Sequence, residues 1–205
     1  NKPDNDSGID INKIIFNKKK KYYKNISKII CSSDWIYNCA KESFLFKNKE
    51  IKQIPLLIDS KFWKPLDKNF SKTCLDINKN QKVILFGAEN FVNNKRKGFA
   101  FLREVFAKFE FPNEYKILLF GVSKKHNFEH INKNIINLGL IRDEHTLRLA
   151  YSASEVVAIP SIIEAFGQVA YEAIHCGTPC VVSEGTGLTS VIENKINLSE
   201  KKNEL

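Results

Sequence analysis

The chain has 205 residues, of which 43% are hydrophobic and 27% are charged, and its formal net charge is +9. These values exclude wholesale disorder, and the length allows one well-packed core, or one domain with part of another. No apolar run approaches the length of a membrane span, and we expect no signal peptide. Because the chain contains no methionine and begins at Asn1, we expect it to be part of a longer protein.

The positive charge is concentrated near the start of the chain. Residues 1–80 carry a net charge of +8, residues 81–205 carry +1, and the run Lys18–Lys24 is the centre of the excess. Such a run can attract anionic lipid headgroups, so it is a candidate for peripheral membrane contact. The alternative, which the lysine- and asparagine-rich composition favours, is a solvated helix face. We expect no nucleic-acid partner, because no basic helix with base-reading spacing and no aromatic RNA-binding motif is present.

The sequence of the first third of the chain predicts two short helices and two short strands. Residues 1–8 are polar, and we expect them to be loose. Ser32, Ser33 and Asp34 form a cap signal for the second helix. The predicted helices cover residues 11–23 and 35–43, and the predicted strands cover residues 26–31 and 52–57.

From residue 68 onward, apolar runs alternate with amphipathic segments. Strands are predicted over residues 82–87, 115–121, 135–138, 156–159 and 180–183. Helices are predicted over residues 68–76, 97–109, 143–152 and 168–176, with another from residue 188. The buried face of the helix over residues 97–109 is predicted to carry Phe101, Leu102, Val105, Phe106 and Phe109. This alternation predicts an α/β protein with a Rossmann-like parallel sheet and helices on both faces.

The stretch from Glu155 to Ser183 reads as a strand-loop-helix-strand crossover, and ligands of such sheets bind outside the carboxyl ends of the strands. Gly167, in the loop, would let the backbone approach a ligand closely, and the N–H groups at the start of the following helix favour a phosphate. Glu164 and Glu172 are suited to accept hydrogen bonds from hydroxyl groups. Phosphate together with hydroxyls indicates a nucleotide sugar.

The same stretch contains the pattern P-S-x-x-E-A-F-G-x-x-x-x-E-A-x-x-x-G-T-P-x-V, from Pro160 to Val181. This pattern resembles the signature of retaining glycosyltransferases of family 4, which have the two-domain fold called GT-B. It is similar to that of bacterial enzymes that build surface polysaccharides or lipopolysaccharide. The alternative is a generic Rossmann crossover with two solvated glutamates.

The resemblance covers about residues 26–197 and implies the C-terminal, donor-binding half of a GT-B enzyme. Ile54-Pro55 is similar to the point where relatives leave the N-terminal domain, although Leu56-Leu57 stands where many relatives have Asn-Gly. The implied division is a remnant of the N-terminal domain and junction (residues 1–50), a nucleotide-sugar-binding domain (residues 51–197) and a frayed tail (residues 198–205).

A second phosphate-facing element follows the predicted strand that ends at Gly87. Its polar loop leads to Arg96 and Lys97; lysine supplies a point charge, and arginine can bind oxygens in a bidentate way. By resemblance, Lys97 contacts the donor diphosphate. Many relatives have an arginine where this chain has Ala88, and we hypothesise that Arg96 compensates for it. The alternative is that Arg96 and Lys97 are ordinary surface cations.

The resemblance also implies roles for residues around the crossover. Glu172 would bind the ribose hydroxyls, and Glu164 would bind hydroxyls of the transferred sugar. The backbone of Phe166 and Gly167 would bind oxygens of the phosphate or sugar. The remaining candidates are Gly87, Gln168, Ser161, which is equally suited to capping its loop, and Arg142, which faces the base or is a surface cation.

We therefore predict transfer of a sugar from a nucleotide-diphosphate donor to an acceptor hydroxyl, with retention at the anomeric carbon. Lys97, Arg96 and the helix N-terminus at Gln168 would stabilise the leaving diphosphate. The resemblance implies no cofactor and no metal, a saccharide or lipid-linked acceptor, and a cytoplasmic location with peripheral contact at the inner membrane face as an option.

Two alternatives stay open. One is a nucleotide-sugar epimerase of the same fold, and the other is a truncated, non-catalytic module that binds nucleotide sugar or nothing. A dinucleotide oxidoreductase is disfavoured, because neither FGAENF nor FGVSKK supplies the G-x-G-x-x-G pattern.

Overall fold

The structure is a computed structural model that describes residues 10–192, and the chain divides between Pro55 and Leu56 into two units. The sequence placed this boundary between residues 50 and 51. The predicted loose start (1–8) and frayed tail (198–205) lie outside the described residues. Unit 1 contains helix α1 (Ile11–Tyr22), strand β1 (Lys28–Cys31), helix α2 (Asp34–Glu42) and strand β2 (Glu50–Gln53).

The two strands of unit 1 pair in parallel, with Cys31 opposite Gln53. The Ser33 hydroxyl caps α2 by accepting a hydrogen bond from the Ile36 N–H, as the sequence predicted. Strand β2 ends at Gln53, so the prediction of a strand over residues 52–57 was wrong beyond that residue. The N–H of Ile54 still donates to the Cys31 carbonyl at 2.9 Å. The next residue, Pro55, has no N–H with which to continue the ladder.

Unit 2 is an α/β layer structure. Its helices are α3 (Lys68–Cys74), α4 (Phe99–Lys108), α5 (Glu144–Ala153) and α6 (Gln168–His175), and residues 187–192 are also helical. Its strands are β3 (Lys82–Gly87), β4 (Tyr115–Phe120), β5 (Ile135–Gly139), β6 (Val156–Ile159) and β7 (Cys180–Val182). All of them pair in parallel, in the order β5-β4-β3-β6-β7, so the predicted fold class is confirmed.

The strand order creates a point where the chain changes direction across the sheet. From β3 the chain adds β4 and β5 on one side, and it then returns through α5 to place β6 on the other side of β3. The carboxyl ends of β3 and β6, at Gly87 and Ile159, therefore border a crevice. In sheets of this type, ligands bind at such a topological switch point.

Apolar side chains cover both faces of this sheet. On one face, Leu85 of β3 and Leu118 of β4 pack with Tyr151 of α5 and Ala173 of α6. On the other, Phe86 and Leu119 pack with buried residues of α4 and with Phe91 and Phe128. Burial on both faces explains why the strands read as continuous apolar runs. None of the described helices is long and apolar enough to cross a membrane.

Helix α4 differs from its prediction in start and in buried face. It begins at Phe99, after a single 3-10 turn over Lys95–Lys97. Phe99, Leu102 and Phe106 are buried, whereas Phe101 and Phe109 are each 64% exposed. The three buried residues are spaced at i, i+3 and i+7, which places them on one face of the helix. Phe101 lies on the opposite face.

Charged groups organise the end of the sheet opposite the crevice. The Glu155 carboxylate, just before β6, accepts hydrogen bonds from the Val83 N–H and from the ammonium groups of Lys72 (3.1 Å) and Lys68 (3.4 Å). Lys72 is buried and also donates to the Gln81 carbonyl at 2.6 Å. Burial alone would raise the pKa of Glu155, but the Val83 N–H and the two lysines outweigh it and lower the pKa.

Replacing Glu155 by glutamine should therefore destabilise unit 2, because Lys72 would keep a buried charge without its carboxylate. We expect a loss of about 1–2 kcal/mol at pH 7, since the Glu155 side chain keeps 34% exposure. A lowered pKa stabilises the fold above the unfolded-state value, so the difference should shrink as the pH falls below about 4.3. Urea unfolding of wild type and Glu155→Gln at pH 7 and pH 3.5 measures this difference in the free energy of unfolding.

A matched control is Glu114→Gln, which removes an exposed ion pair with Lys82. Exposed pairs contribute little, so this variant should unfold near the wild-type midpoint. Equal stability of Glu155→Gln and wild type at pH 7 would contradict the expected role of Glu155.

Candidate functional site

A cleft of about 280 Å³ opens at the switch point, between the carboxyl ends of β3 and β6. It is lined by Phe86, Gly87, Ala88, Glu89, Asn94, Lys97, Ile159, Ser161, Glu164, Gly167, Gln168 and Val169. Six predicted site residues therefore come together here: Gly87, Lys97, Ser161, Glu164, Gly167 and Gln168. They come from two segments far apart in the chain: the end of β3 with the loop after it, and the loop after β6 with the start of α6.

Backbone contact holds these two loops together. Gly98 has a φ of +72°, and a Cβ atom at this position would lie 1.9 Å from the carbonyl oxygen of Pro160. The N–H of Ile162 donates to the carbonyl of Arg96 at 2.8 Å. The turn that carries Lys97 is thereby fixed against the loop that carries Glu164.

Lys97 and Glu164 form an ion pair inside the cleft. The Lys97 Nζ lies 2.6 Å from the Glu164 Oε2, and the two side chains are 27% and 19% exposed. The Glu164 carbonyl accepts a hydrogen bond from the Gly187 N–H at 2.8 Å, which fixes the loop backbone. Because the pair is partly buried, water and salt screen this charge-assisted hydrogen bond less than they would screen a pair on the surface.

Glu172 lies below the cleft rather than on its lining. It is 5% exposed; the Tyr151 hydroxyl donates to its Oε2 at 2.8 Å, and the Gln168 Nε2 donates to its Oε1 at 2.9 Å. Desolvation by burial raises the pKa of Glu172, and the hydrogen bonds from Tyr151 and Gln168 offset part of that rise. Gln168 also lines the cleft, so its side chain links the buried carboxylate to the open site.

Sequence reasoning missed Tyr151, which holds Glu172 in place. Its ring is fully buried beside Trp63 and Phe120, and its carbonyl accepts a hydrogen bond from the Thr178 hydroxyl at 2.7 Å. Burial, followed by the charge of Glu172, raises the pKa of the Tyr151 phenol well above its usual range. The available signal was a tyrosine on the apolar face of α5, because a buried phenol requires a hydrogen-bond partner.

Three other predicted residues lie outside the cleft lining. The ring of Phe166 is buried and packs edge-on against Tyr171 at 5.2 Å. The side chains of Arg96 and Arg142 are exposed, and the Arg96 Nε lies 3.4 Å from the Asn94 side-chain oxygen. The expected roles of both arginines, and of the Phe166 backbone, stay predictions.

Gly167 has a structural requirement of its own. Its φ is +88°, and a Cβ atom there would lie 2.1 Å from a methyl carbon of Leu188. A larger residue here would strain the backbone and displace the buried Leu188 side chain, whether or not a ligand approaches. Within residues 10–192, no group of three or more histidine, cysteine, aspartate or glutamate side chains could hold a metal ion.

Replacing Gly98 by alanine should force the two loops apart, because the new methyl group would overlap the Pro160 carbonyl. We expect a lower thermal midpoint and a displaced Lys97. The matched control is Gly185→Ala: Gly185 also has a positive φ (+74°), but a Cβ atom there would meet nothing within 4 Å. Thermal unfolding of both variants separates steric overlap from backbone strain, and equal losses in the two would contradict the proposed contact.

Among curated proteins, one relative is an uncharacterized glycosyltransferase, MJ1607, of Methanocaldococcus jannaschii. It is 29% identical over 137 residues, which cover 63% of this chain and 34% of the relative. The chain thus spans about a third of that protein's length.

Solved structures of similar fold cover most of the chain. They include the sucrose-phosphate synthase (tll1590) of Thermosynechococcus elongatus, with a TM-score of 0.71, 24% identity and coverage of 86% of this chain and 45% of that one. Anabaena Alr3699/HepE in complex with UDP and glucose gives a TM-score of 0.64 at 19% identity, covering 86% and 49%. WaaG, a glycosyltransferase involved in lipopolysaccharide biosynthesis, gives 0.65 at 18% identity, covering 80% and 46%. At these identities the likeness shows the fold, that of one half of a GT-B glycosyltransferase.

The sequence model of one protein family matches this chain over residues 67–204, more than half of its length. The matched region contains the sheet from β3 to β7 and the whole lining of the cleft. The family is described as Glycosyl transferases group 1, and the chain belongs to it.

Proposed function

We propose that this protein binds the donor of a retaining glycosyltransferase of family 4, a nucleotide-diphosphate sugar. The observation that carries the proposal is the pairing of Lys97 with Glu164 in a cleft at the switch point of a group 1 glycosyl transferase. An ammonium suits a diphosphate, and a carboxylate suits the hydroxyls of a sugar. HepE, a structural neighbour, is described in complex with UDP and glucose, which supports a donor of this class.

In the proposed reaction, the bond from the anomeric carbon to the diphosphate oxygen breaks, and its electron pair stays on the diphosphate. The acceptor hydroxyl oxygen bonds to the anomeric carbon on the same face, and its proton passes to the departing diphosphate oxygen. Lys97 lies where it can stabilise the leaving diphosphate. Helix α6 begins at Gln168 on the cleft wall. Within the described residues, no side-chain cap accepts a hydrogen bond from its first N–H groups, so these groups can donate to an anion. Arg96 is a further proposed phosphate ligand, although its side chain must turn to reach the cleft.

Glu172 is the proposed ligand of the ribose hydroxyls. A buried carboxylate whose pKa is raised by desolvation lowers stability at neutral pH, and such groups cluster at functional sites. Tyr151 and Gln168 each donate to one of its two oxygens, and each oxygen keeps a second acceptor site that a ribose hydroxyl can use. Arg142 and the backbone of Phe166 and Gly167 complete the proposed contacts, with Ser161 and Gly87 in the wall.

The proposed acceptor is a saccharide or a lipid-linked acceptor. The proposed role is polysaccharide or lipopolysaccharide synthesis in the cytoplasm, without a cofactor. The neighbour WaaG is described as involved in lipopolysaccharide biosynthesis. The chain spans less than half of that structure, so the transfer reaction is proposed for the protein to which this half contributes. Retained donor binding without transfer would favour the non-catalytic alternative.

Calorimetric titration of the chain with UDP, GDP and ADP and with their sugar derivatives tests the donor site. We expect the nucleotides of only one base to bind, and we expect Glu172→Gln to weaken their binding by about tenfold. Because the ionised Glu172 is destabilising, the same variant should unfold at an equal or higher temperature at pH 7. That gain should fade as the pH falls through the raised folded-state pKa of Glu172, and it should be lost below about 4.3, where the wild-type carboxyl becomes protonated in the unfolded state as well.

The control is Glu104→Gln, which removes an exposed carboxylate from α4. It should change neither the affinity for the nucleotide nor the unfolding temperature. A folded chain that binds none of these nucleotides would contradict the donor site. A Glu172→Gln variant that unfolds several degrees below wild type at pH 7 would contradict the destabilising role of the charge.

We further propose that α1, together with the 3-10 turn that follows it (Tyr23–Asn25), contacts an anionic membrane surface through Lys18–Lys24. None of its residues is buried, and Ile11, Ile14 and Ile15 are 65%, 46% and 45% exposed, one helical turn before the lysine run. Exposed apolar residues beside lysines are the composition of helices that lie in a membrane interface.

Sedimentation with vesicles rich in phosphatidylglycerol tests this contact, with pure phosphatidylcholine vesicles as the neutral reference. Changing Lys18, Lys20 and Lys21 together to glutamine should weaken binding to the anionic vesicles by roughly tenfold or more. The matched control changes Lys108, Lys124 and Lys125 of unit 2 and should bind as wild type does. Equal loss in both triple variants would indicate net charge alone and contradict a role for α1.

A further inference from the structure

The charged side chains that line the cleft do not by themselves favour an isolated diphosphate. Among the described lining residues, the charged ones are Glu89, Lys97 and Glu164. Lys97 lies 2.6 Å from Glu164, so its charge is already neutralised by a carboxylate. A diphosphate that enters this cleft meets two carboxylates and one ammonium, and that ammonium is already engaged.

The backbone contacts of the site fix the main chain that carries Glu164. The close approach of Gly98 to Pro160 and the hydrogen bond from Ile162 to Arg96 fix the two loops, and the Gly187 N–H holds the Glu164 carbonyl. When Lys97 turns to a phosphate, the Glu164 carboxylate stays in the same cleft and loses its cation. It then repels the phosphate charge at short range.

A sugar on the diphosphate changes this balance. Its hydroxyl groups donate hydrogen bonds, and the Glu164 carboxylate can accept them in place of the Lys97 ammonium. We propose that the Lys97–Glu164 pair makes the cleft discriminate between donor and product, with Glu164 opposing a nucleotide diphosphate that carries no sugar. This inference rests on the proposed donor site. After transfer, Glu164 pairs again with Lys97, which favours release of the nucleotide diphosphate.

The test compares affinities for matched ligands, namely UDP with UDP-glucose, GDP with GDP-mannose and ADP with ADP-glucose. Calorimetry is run on the wild-type chain and on Glu164→Gln. The variant should bind the sugar nucleotide about tenfold more weakly, because a charge-assisted hydrogen bond is lost. It should bind the free diphosphate about threefold more tightly, because the competing carboxylate is gone. The two affinities therefore change in opposite directions.

Glu89→Gln is the matched control, since it removes one carboxylate from the same cleft wall. If only the overall charge of the cleft matters, Glu89→Gln and Glu164→Gln should each shift both ligands in the same direction. Thermal unfolding checks that both variants are folded, and the Glu164 backbone contact with Gly187 is unaffected by the substitution.

The outcomes separate this inference from the proposed function. Opposite shifts in Glu164→Gln and parallel shifts in Glu89→Gln support it. Parallel shifts in Glu164→Gln, in a protein that binds nucleotide sugar, overturn the discrimination and leave the donor site standing. A folded wild-type chain that binds no ligand of the panel refutes both.

Discussion

The site depends on one backbone contact, the approach of residue 98 to the carbonyl of Pro160. Only a residue without a Cβ atom fits there, and its positive φ ends the turn that carries Lys97. The contact brings the loop after β3 against the loop after β6 although 62 positions separate the two residues along the chain. The hydrogen bond from Ile162 to Arg96 then fixes their register. The position of Lys97 beside Glu164 follows from this junction, and so does the shape of the cleft.

The two ends of the sheet use charge in opposite ways. At the amino end, Glu155 accepts hydrogen bonds from a backbone N–H and two lysines, and one of these lysines is buried and also bonded to a carbonyl. Such a network is satisfied within the chain and stabilises it. At the carboxyl end, Lys97 and Glu164 engage each other within an open cleft, where a ligand can replace either partner. The first arrangement supports the fold, and the second leaves charges that a ligand can use.

Glu172 connects the core to the site. Its carboxylate is held by Tyr151, a residue of the central core, and by Gln168, a residue of the cleft wall. Burial raises its pKa, so a carboxyl at this position lowers the stability of the fold at neutral pH. A glutamate that served only packing would be better replaced by an apolar residue. A structural reason therefore exists to regard Glu172 as part of the site even though it does not line the cleft.

The sequence by itself determined the parallel sheet and most of its boundaries. The apolar runs of β3 and β6 have the predicted limits, because burial on both faces leaves an uninterrupted local signal. The motif from Pro160 to Val181 singled out the loop and the helix that border the cleft, and family membership confirmed the broad resemblance. Only the tertiary structure decided that α4 starts at Phe99, that Phe101 is exposed, that Lys97 pairs with Glu164 and that Tyr151 holds Glu172. These features depend on contacts between segments distant in the chain, and neither propensity nor periodicity encodes the distance between two side chains on different loops.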